Sequence, residues 1–458
     1  MGDVRGGKSC ERTSIRGDRV KPEETGARAD SPVAGHQTES PMFNKTLMEE
    51  VCERENLKAA LRRVIRNKGS AGVDGMSVEQ ITEHLKKDWP AIKEALLSGK
   101  YKPQAVKRVE IPKPGGGIRK LGIPTVLDRF IQQALLQKLQ AKWDKTFSEN
   151  SYGFRPMRSA HQAVAKAQSY IKEGYEYVVD IDLEKFFDRV NHDRLMSRLA
   201  NRIEDKRVLK LIRSYLEAGI FEDGLVSTPS EGTPQGGPLS PFLSNVVLDE
   251  LDRELESRGH LFVRYADDCN IYVKSPRAGE RVMASISSFI TNRLKLKVNE
   301  TKSAVDKPQR RSFLGFSFTG GKESGRRKIA TKALAGFTSK IRRITSRNRG
   351  RSLKEVIEEL AVYIVGWIGY FGFCETPSVL RDLDGWIRRR LRCLIWKQWK
   401  VFSKRMSELK KLGVSEQIAC PTAYSSKGHW RMSHSPGVQM ALSNKYFTSL
   451  GLPCLLTQ

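Results

Sequence analysis

The chain has 458 residues, room for two to four domains with substantial cores. Its 80 Lys and Arg against 52 Asp and Glu leave a net charge of +28, too large for a solubility device, so a polyanion or an acidic membrane surface is the implied partner. Seven scattered cysteines with no C-x-x-C pair argue against a zinc ribbon or finger and fit free thiols in a reducing cytosol.

Residues 1–40 are polar, without an apolar run, and read as a disordered extension rather than a signal peptide. Helical periodicity starts near Lys45, with Leu47, Val51, Leu57, Leu61 and Ile65 on one stripe, and resumes over 77–97 after a glycine-rich loop. "VEIPKPGGGIRKLGIP" reads as a hairpin whose turn is PKPGGG, and a long helix follows near Asp128. After the loop "SYGFRP" and another helix, "YEYVVDIDLEKFFDRV" starts as a buried strand and becomes helical. Helices cover roughly 191–218. The turn-rich "TPSEGTPQGGPLSP" then leads into a long helix.

"FVRYADDCNIYV" reads as two apolar strands around a sharp reversal that carries Asp267 and Asp268. Helix and strand alternate again through "LKLKV", and "RSFLGFSF" (311–318) reads as a strand. Beyond residue 330 strand patterns largely vanish. The apolar run at 360–373 is too short for a membrane span and holds three glycines. The alternation of strands and helices argues for an α/β or α+β core over about 45–325 followed by a helical region.

Adjacent carboxylates repel, and a tight turn tolerates them if a cation neutralises them. Asp182 closes the earlier strand, so three strand-end carboxylates could converge on Mg²⁺, a hard ion that takes oxygen ligands. Two such ions would clamp an in-line phosphoryl displacement. In the last third, "GWIRRRLRCLIWKQWK" interleaves cations with Trp386, Trp396 and Trp399, which offer either core packing or stacking faces to RNA.

"DIDLEKFFD", "TPQGGPLSPFLSN" and "YADD", in that order, resemble the palm of a reverse transcriptase. With "RVEIPKPGGGIRKLGIP", "SYGFRP", "LKLKVNETKS" and "FLGF" the chain resembles group II intron-encoded reverse transcriptases (maturases) from about residue 45 to 400. The resemblance implies a right-hand arrangement: N-terminal helices and fingers over 41–175, a palm over 176–325 with a helical insertion at 191–230, a helical thumb and maturase domain over 326–410, and a tail over 411–458. It implies Asp182, Asp267 and Asp268 as catalytic ligands of two Mg²⁺ ions, with the Leu183 carbonyl as a further ligand. Asp180 competes for the first of these places, and Asp182 is preferred because Phe187 follows it by five positions, where the family places the ring that excludes a 2′-hydroxyl. Lys113 and Arg119 would meet the triphosphate, Gln235 and Gly236 would lie under the nucleotide and template, and Lys302 would approach the leaving pyrophosphate. "FLGF" would be the primer grip, and the role of Arg155 stays open, a structural ion pair being the alternative.

For nucleic acid the resemblance points to Arg342, Arg343, Arg388, Arg389, Arg392 and Lys397. The implied partners are intron RNA, an RNA template–DNA primer duplex, target DNA and dNTPs, with no membrane and a homodimer left open. The implied location is a bacterial cytoplasm, at the nucleoid when DNA is bound. After residue 415 only Cys420, Cys454, His429 and His434 stand, with no paired motif, so no DNA-cleaving domain is expected. The alternatives are a domesticated reverse transcriptase in defence or repair, and a splicing cofactor without polymerase activity.

Overall fold

The computed structural model describes residues 42–112, 118–222, 225–227, 232, 236–321 and 324–456. The strands in chain order are β1 (Val106–Pro112), β2 (Ile118–Ile123), β3 (Tyr177–Ile181), β4 (Ile220–Glu222), β5 (Leu225–Ser227), β6 (Leu261–Tyr265), β7 (Asp268–Val273), β8 (Ala304–Asp306), β9 (Phe316–Phe318) and β10 (Arg327–Ile329). They form a sheet β2-β1-β4-β5, a sheet β6-β7-β3-β8 and the pair β10-β9.

The second sheet carries the aspartates. Its central strand β3 buries Val178, Val179 and Ile181, as a strand covered on both faces must. Helices Ser240–Ser257 and Pro276–Asn292 lie on one side with a large core that extends to the N-terminal helices. Gly279 lets the second of these sit directly on the strands, since a Cβ there would meet Val305 Cγ1 at 2.4 Å. That helix starts where β7 ends because Ser275 caps it, accepting from the Ala278 amide, and Pro276 occupies the first turn. Helix Ala160–Lys172 closes the other face through Ala163, Val164 and Ala167, which share a cluster with Val178, Val263 and Tyr272.

From Thr331 onward the described chain is helical, with a separate core built on Phe337, Ile364, Leu391 and Trp396. The apolar run at 360–373 falls largely within helix Leu353–Phe371, which turns Leu360, Ile364 and Trp367 into that core. Among the described residues no helix is long and apolar enough to cross a membrane. The six described cysteines are unpaired thiols.

Three local readings are corrected. The segment expected to be a helical insertion carries helices His192–Ala200 and Lys206–Glu217, then returns as β4 to pair in parallel with β1 through Val106↔Ile220. "LKLKV" contributes only a bridge between Val298 and Leu183. "RSFLGFSF" is no continuous strand: Leu314 and Gly315, at φ +52° and +81°, form a two-residue reversal between Phe313 and Phe316. Tyr370 Oη donates to the Leu314 carbonyl at 2.8 Å and fixes that turn against the helical region.

Candidate active site

Strands β3 and β7 are antiparallel, with Val178 opposite Tyr272, Asp180 opposite Asn270 and Ile181 opposite Cys269. One step on, the same register sets Asp182 opposite Asp268. Side chains alternate across a sheet, so Val178, Asp180 and Asp182 share a face with Tyr272, Asn270 and Asp268. That face is apolar under helix Ala160–Lys172 and becomes acidic at the strand ends. Tyr265 pairs with Asp268 and leaves Ala266 and Asp267 as a two-residue turn, with Ala266 at φ +57° in the left-handed region.

The Leu183–Val298 bridge is flanked by bonds from the Asn299 amide to the Asp182 carbonyl and from the Glu184 amide to the Lys297 carbonyl. In this pattern the polar groups of Leu183 itself point to the opposite edge, the side on which β7 runs. The Leu183 carbonyl therefore faces the aspartate turn.

Asp180, the competing acid, is bound by Arg311, whose Nε and Nη2 lie 2.9 and 2.6 Å from Oδ2. Asp182 meets the more exposed Lys302, with Nζ 3.2 Å from Oδ2. Asp268 is open to solvent on one side and crowded by protein on the other. That crowding, then the charges of Asp267, Asp180 and Asp182, push its carboxyl up to about 7, with Lys302 opposing them. Among the described residues no three acidic, His or Cys side chains already close on one point. The donor set is nevertheless all oxygen, carries excess negative charge and is partly open to solvent, which fits a hard divalent cation.

Because the folded state holds a proton on Asp268 more tightly than the ordinary value of 3.8, stability is lost as pH rises from about 4 through 7. In metal-free protein, Asp268→Asn is expected to raise the melting temperature by about 2 °C at pH 8 and not at pH 4, measured by calorimetry.

A buried hub that the motifs do not reveal supports the turn. Arg264 and Asp252 are both 0% exposed. The Arg264 Nε and Nη2 donate to the two Asp252 oxygens at 2.6 and 2.5 Å. Nη1 donates to the Ala266 carbonyl at 2.8 Å and to Asn245 Oδ1 at 3.0 Å, and Nη2 to Ser151 Oγ at 2.8 Å. Asn245 in turn donates to the Gly153 carbonyl at 2.8 Å. A Cβ on Gly153 would lie 2.2 Å from the Ala266 amide nitrogen, so that glycine abuts the turn.

Phe187 is half-buried and meets Phe186 edge-on at 5.3 Å, just after Lys185 at φ +49°, a strained conformation for a non-glycine residue. Gly236 has φ +134°, and a Cβ there would meet the Gly122 carbonyl at 2.4 Å, so only glycine fits. Lys113 and Gln235 lie outside the described residues. Arg119 stands in β2 opposite Ile111. Arg155 is a structural clamp: it pairs with Asp144 at 2.9 Å and donates to the Ser148 and Ser151 carbonyls.

Two family models match the chain, reverse transcriptase (RNA-dependent DNA polymerase) over residues 111–318 and the group II intron maturase-specific domain over 334–413. Protein YkfC of Escherichia coli K12 is 32% identical over 308 residues, covering 58% of this chain and 81% of YkfC. The chain belongs to the group II intron reverse transcriptase family. The group II intron-encoded protein LtrA of Lactococcus lactis is 29% identical over 330 residues, 56% of this chain and 54% of LtrA. The COX1/OXI3 intron 1 protein of Saccharomyces cerevisiae is 28% identical over 326 residues, 58% of this chain and 38% of that protein. The chain thus spans most of YkfC but only about half of LtrA, and less of the yeast protein.

In this group II intron reverse transcriptase the helical region sorts the expected RNA contacts. Arg342 and Arg343 are exposed, with Arg342 over the Trp386 ring at 5.6 Å. Arg389 lies 4.1 Å over the half-exposed Trp430, and Lys397 reaches Asn348 at 2.6 Å while still partly open. Arg392 is corrected: it is 9% exposed and donates Nε to the Leu442 carbonyl at 2.9 Å, so it holds the core. Arg388 is likewise turned toward Asp384, 3.7 Å away, with little surface left. Trp396 and Trp399 are buried, and the exposed rings of the helical region are Phe402, Tyr424 and Trp430, all beyond the basic helix Pro377–Gln398.

Proposed function

We propose that this chain copies RNA into DNA from dNTPs and that it binds intron RNA to promote splicing. The observation that carries the polymerase reading is the β3–β7 register, which sets Asp182 against Asp268 beside Asp267. Asp182, Asp267, Asp268 and the Leu183 carbonyl would hold two Mg²⁺ ions. When bound, these ions supply activation of the primer 3′-hydroxyl and neutralisation of the departing pyrophosphate.

The protein's own groups do the positioning. Lys302, free of Asp182 once a divalent ion compensates it, would turn to the triphosphate and give a proton to pyrophosphate. Lys113 and Arg119 would bind the same phosphates by charge-assisted bonds. Gln235 and Gly236 would support the nucleotide and template. Phe187 would crowd the sugar, so Phe187→Ala is expected to lower discrimination of dNTP over NTP by about tenfold, compared as kcat/KM for each.

Arg342, Arg343, Arg389 and Lys397 would contact phosphates of the intron RNA, the template–primer duplex and target DNA. Affinity for each would fall steeply with salt. A cytoplasmic enzyme that joins the nucleoid through DNA suits these partners.

The test is extension of a DNA primer on an RNA template with dNTPs and Mg²⁺, beside splicing of a group II intron at low Mg²⁺. Primer extension no greater than that of Asp267→Ala would remove the polymerase reading. An unchanged splicing rate would remove the maturase reading.

A further inference from the structure

Three aromatic rings of the helical region are turned outward. Tyr424 is 82% exposed, Phe402 45% and Trp430 43%. Tyr424 and Phe402 meet edge-on with their centroids 6.2 Å apart. Arg405 ties this pair to the basic helix, donating Nη1 to the Ala423 carbonyl at 3.5 Å and Nε to the Trp399 carbonyl at 2.8 Å. The Arg389 guanidinium covers Trp430 at 4.1 Å. Tyr424 and Trp430 lie beyond the maturase-specific match of 334–413.

The rings are fixed at their roots. The Trp430 carbonyl accepts from Ser433 Oγ at 2.7 Å and from Arg389 Nη2 at 3.3 Å. Ala423, just before Tyr424, and Met432, just after Trp430, are buried. Side chains held in this way lose little freedom on meeting a ligand.

The cations around the rings have no carboxylate. Among the described residues Arg347, Arg389, Lys397 and Arg405 make no ion pair. Their partners are neutral: Cys393 Sγ at 3.6 Å, the Trp430 carbonyl, Asn348 Oδ1 at 2.6 Å and the Trp399 carbonyl, respectively. Elsewhere Arg198, Arg207 and Arg264 each hold a carboxylate. The sequence favours the difference, because the stretches 324–354, 385–407 and 417–458 that meet here contain no Asp or Glu. Burial, then Arg347, Arg405 and Lys397, hold His429 below its usual range. At neutral pH it is an uncharged flat ring beside Trp430.

Uncompensated cations call for a polyanion, and outward rings call for flat faces to stack on. A duplex brings the charge but hides its base faces in its own stack. An acidic peptide brings charge without flat faces. Unpaired nucleotides bring both, since loops and single strands of RNA are held by stacking splayed bases on aromatic and guanidinium planes.

We propose that Tyr424, His429 and Trp430 form a stacking site for unpaired nucleotides of RNA, with Arg347, Lys397 and the exposed Lys427 on the adjoining phosphates. The proposal rests on the reading that the helical region binds RNA. It adds the feature taken, a loop or single strand rather than a helix.

The test uses the full chain. Labelled single-stranded RNA of about 12 nucleotides, within the span of one such site, is titrated with unlabelled template–primer duplex present to fill the cleft. A blunt RNA duplex and polyglutamate are titrated alone. Tyr424→Leu and Trp430→Leu are each expected to weaken single-strand binding at least about fivefold, and duplex binding less than about twofold. Tyr424→Leu, so far exposed, should leave the melting temperature within about 2 °C. A 4-thiouridine in the single strand should crosslink to wild-type peptides that hold Tyr424, His429 or Trp430.

Single-strand affinity that neither variant changes overturns the proposal. Equal losses for strand and duplex also overturn it, and make the patch a surface for backbone charge. Polyglutamate binding that falls as much in the variants overturns it in favour of an acidic protein partner. If Trp430→Leu does not fold, the absence of crosslinks to these peptides in the wild-type chain overturns it. Intron RNA bound without any single-strand binding strikes this proposal and spares the maturase reading, whereas a chain that binds no RNA strikes both.

Discussion

Asp267→Ala and Asp182→Ala are each expected to lower RNA-templated DNA synthesis at least about 10³-fold, with RNA affinity changed less than about twofold. The size follows from what the carboxylates would supply: charge that holds divalent ions at the transferred phosphoryl group, worth several kcal/mol of transition-state stabilisation, where each 1.36 kcal/mol is a factor of ten. RNA affinity should be insensitive because, on the proposed reading, it would draw on cations of the helical region, far along the chain from this acidic face. Removing one carboxylate from the crowded site should not weaken the fold either, since Asp268 already suffers from its neighbours' charge. Rapid-quench primer extension beside filter binding separates the effects. Equal losses in both would mean that the carboxylates act in folding or RNA contact. Asp180→Asn is the informative companion: its carboxylate is bound to Arg311, so its loss should cost far less activity than loss of Asp182.

The molecule divides its charge in a way that serves a polymerase acting on a polyanion. The acidic cluster sits at strand ends, inside a chain whose net charge is +28. A bare acidic cleft would repel a phosphate backbone. Here Lys302 and Arg311 already offset two of the four carboxylates. Divalent ions would offset the rest, so nucleic acid and metal favour each other's binding. On the same logic Lys302, which stands against Asp182 at rest, would be free to serve another anion if a divalent ion took its place.

The aspartate doublet was legible because its flanks are short, largely apolar runs and a turn cannot hide two carboxylates from solvent. The preference for Asp182 over Asp180 follows from where the resembled family places its aromatic ring, and the ion pair that Asp180 makes with Arg311, 131 residues away, is visible only in the fold. Arg264 was invisible as a functional residue: a single arginine in an apolar strand reads as an edge charge. Asp252 sits in "LDELDRELES", which reads as a solvated helix face. Only the fold brings them together with Asn245 and Ser151. Arg392 went the other way, because a helix that interleaves cations and tryptophans does not announce which arginines face inward. Strands β4 and β5, three residues each, are too short to show a period of two.

Arg264→Leu is expected to destabilise the protein by about 3–5 kcal/mol, the cost of leaving a buried carboxylate without its partner. That is a large share of the stability a domain possesses. Asp252 has no exposure, so water cannot take the place of the lost guanidinium. The double variant Arg264→Leu/Asp252→Leu should recover most of the loss, because replacing a whole buried ion pair with apolar side chains is often neutral or better. Urea denaturation of the single and double variants measures this difference. The double variant should still copy RNA poorly. Its fold is restored, but the Ala266 carbonyl has lost its 2.8 Å donor, and a left-handed alanine is held only by its surroundings. The turn would relax, moving Asp267 and Asp268 relative to Asp182. A double variant that is stable and fully active would show that the β3–β7 register alone positions the carboxylates. A stable but slow one would assign the remaining precision to this buried arginine.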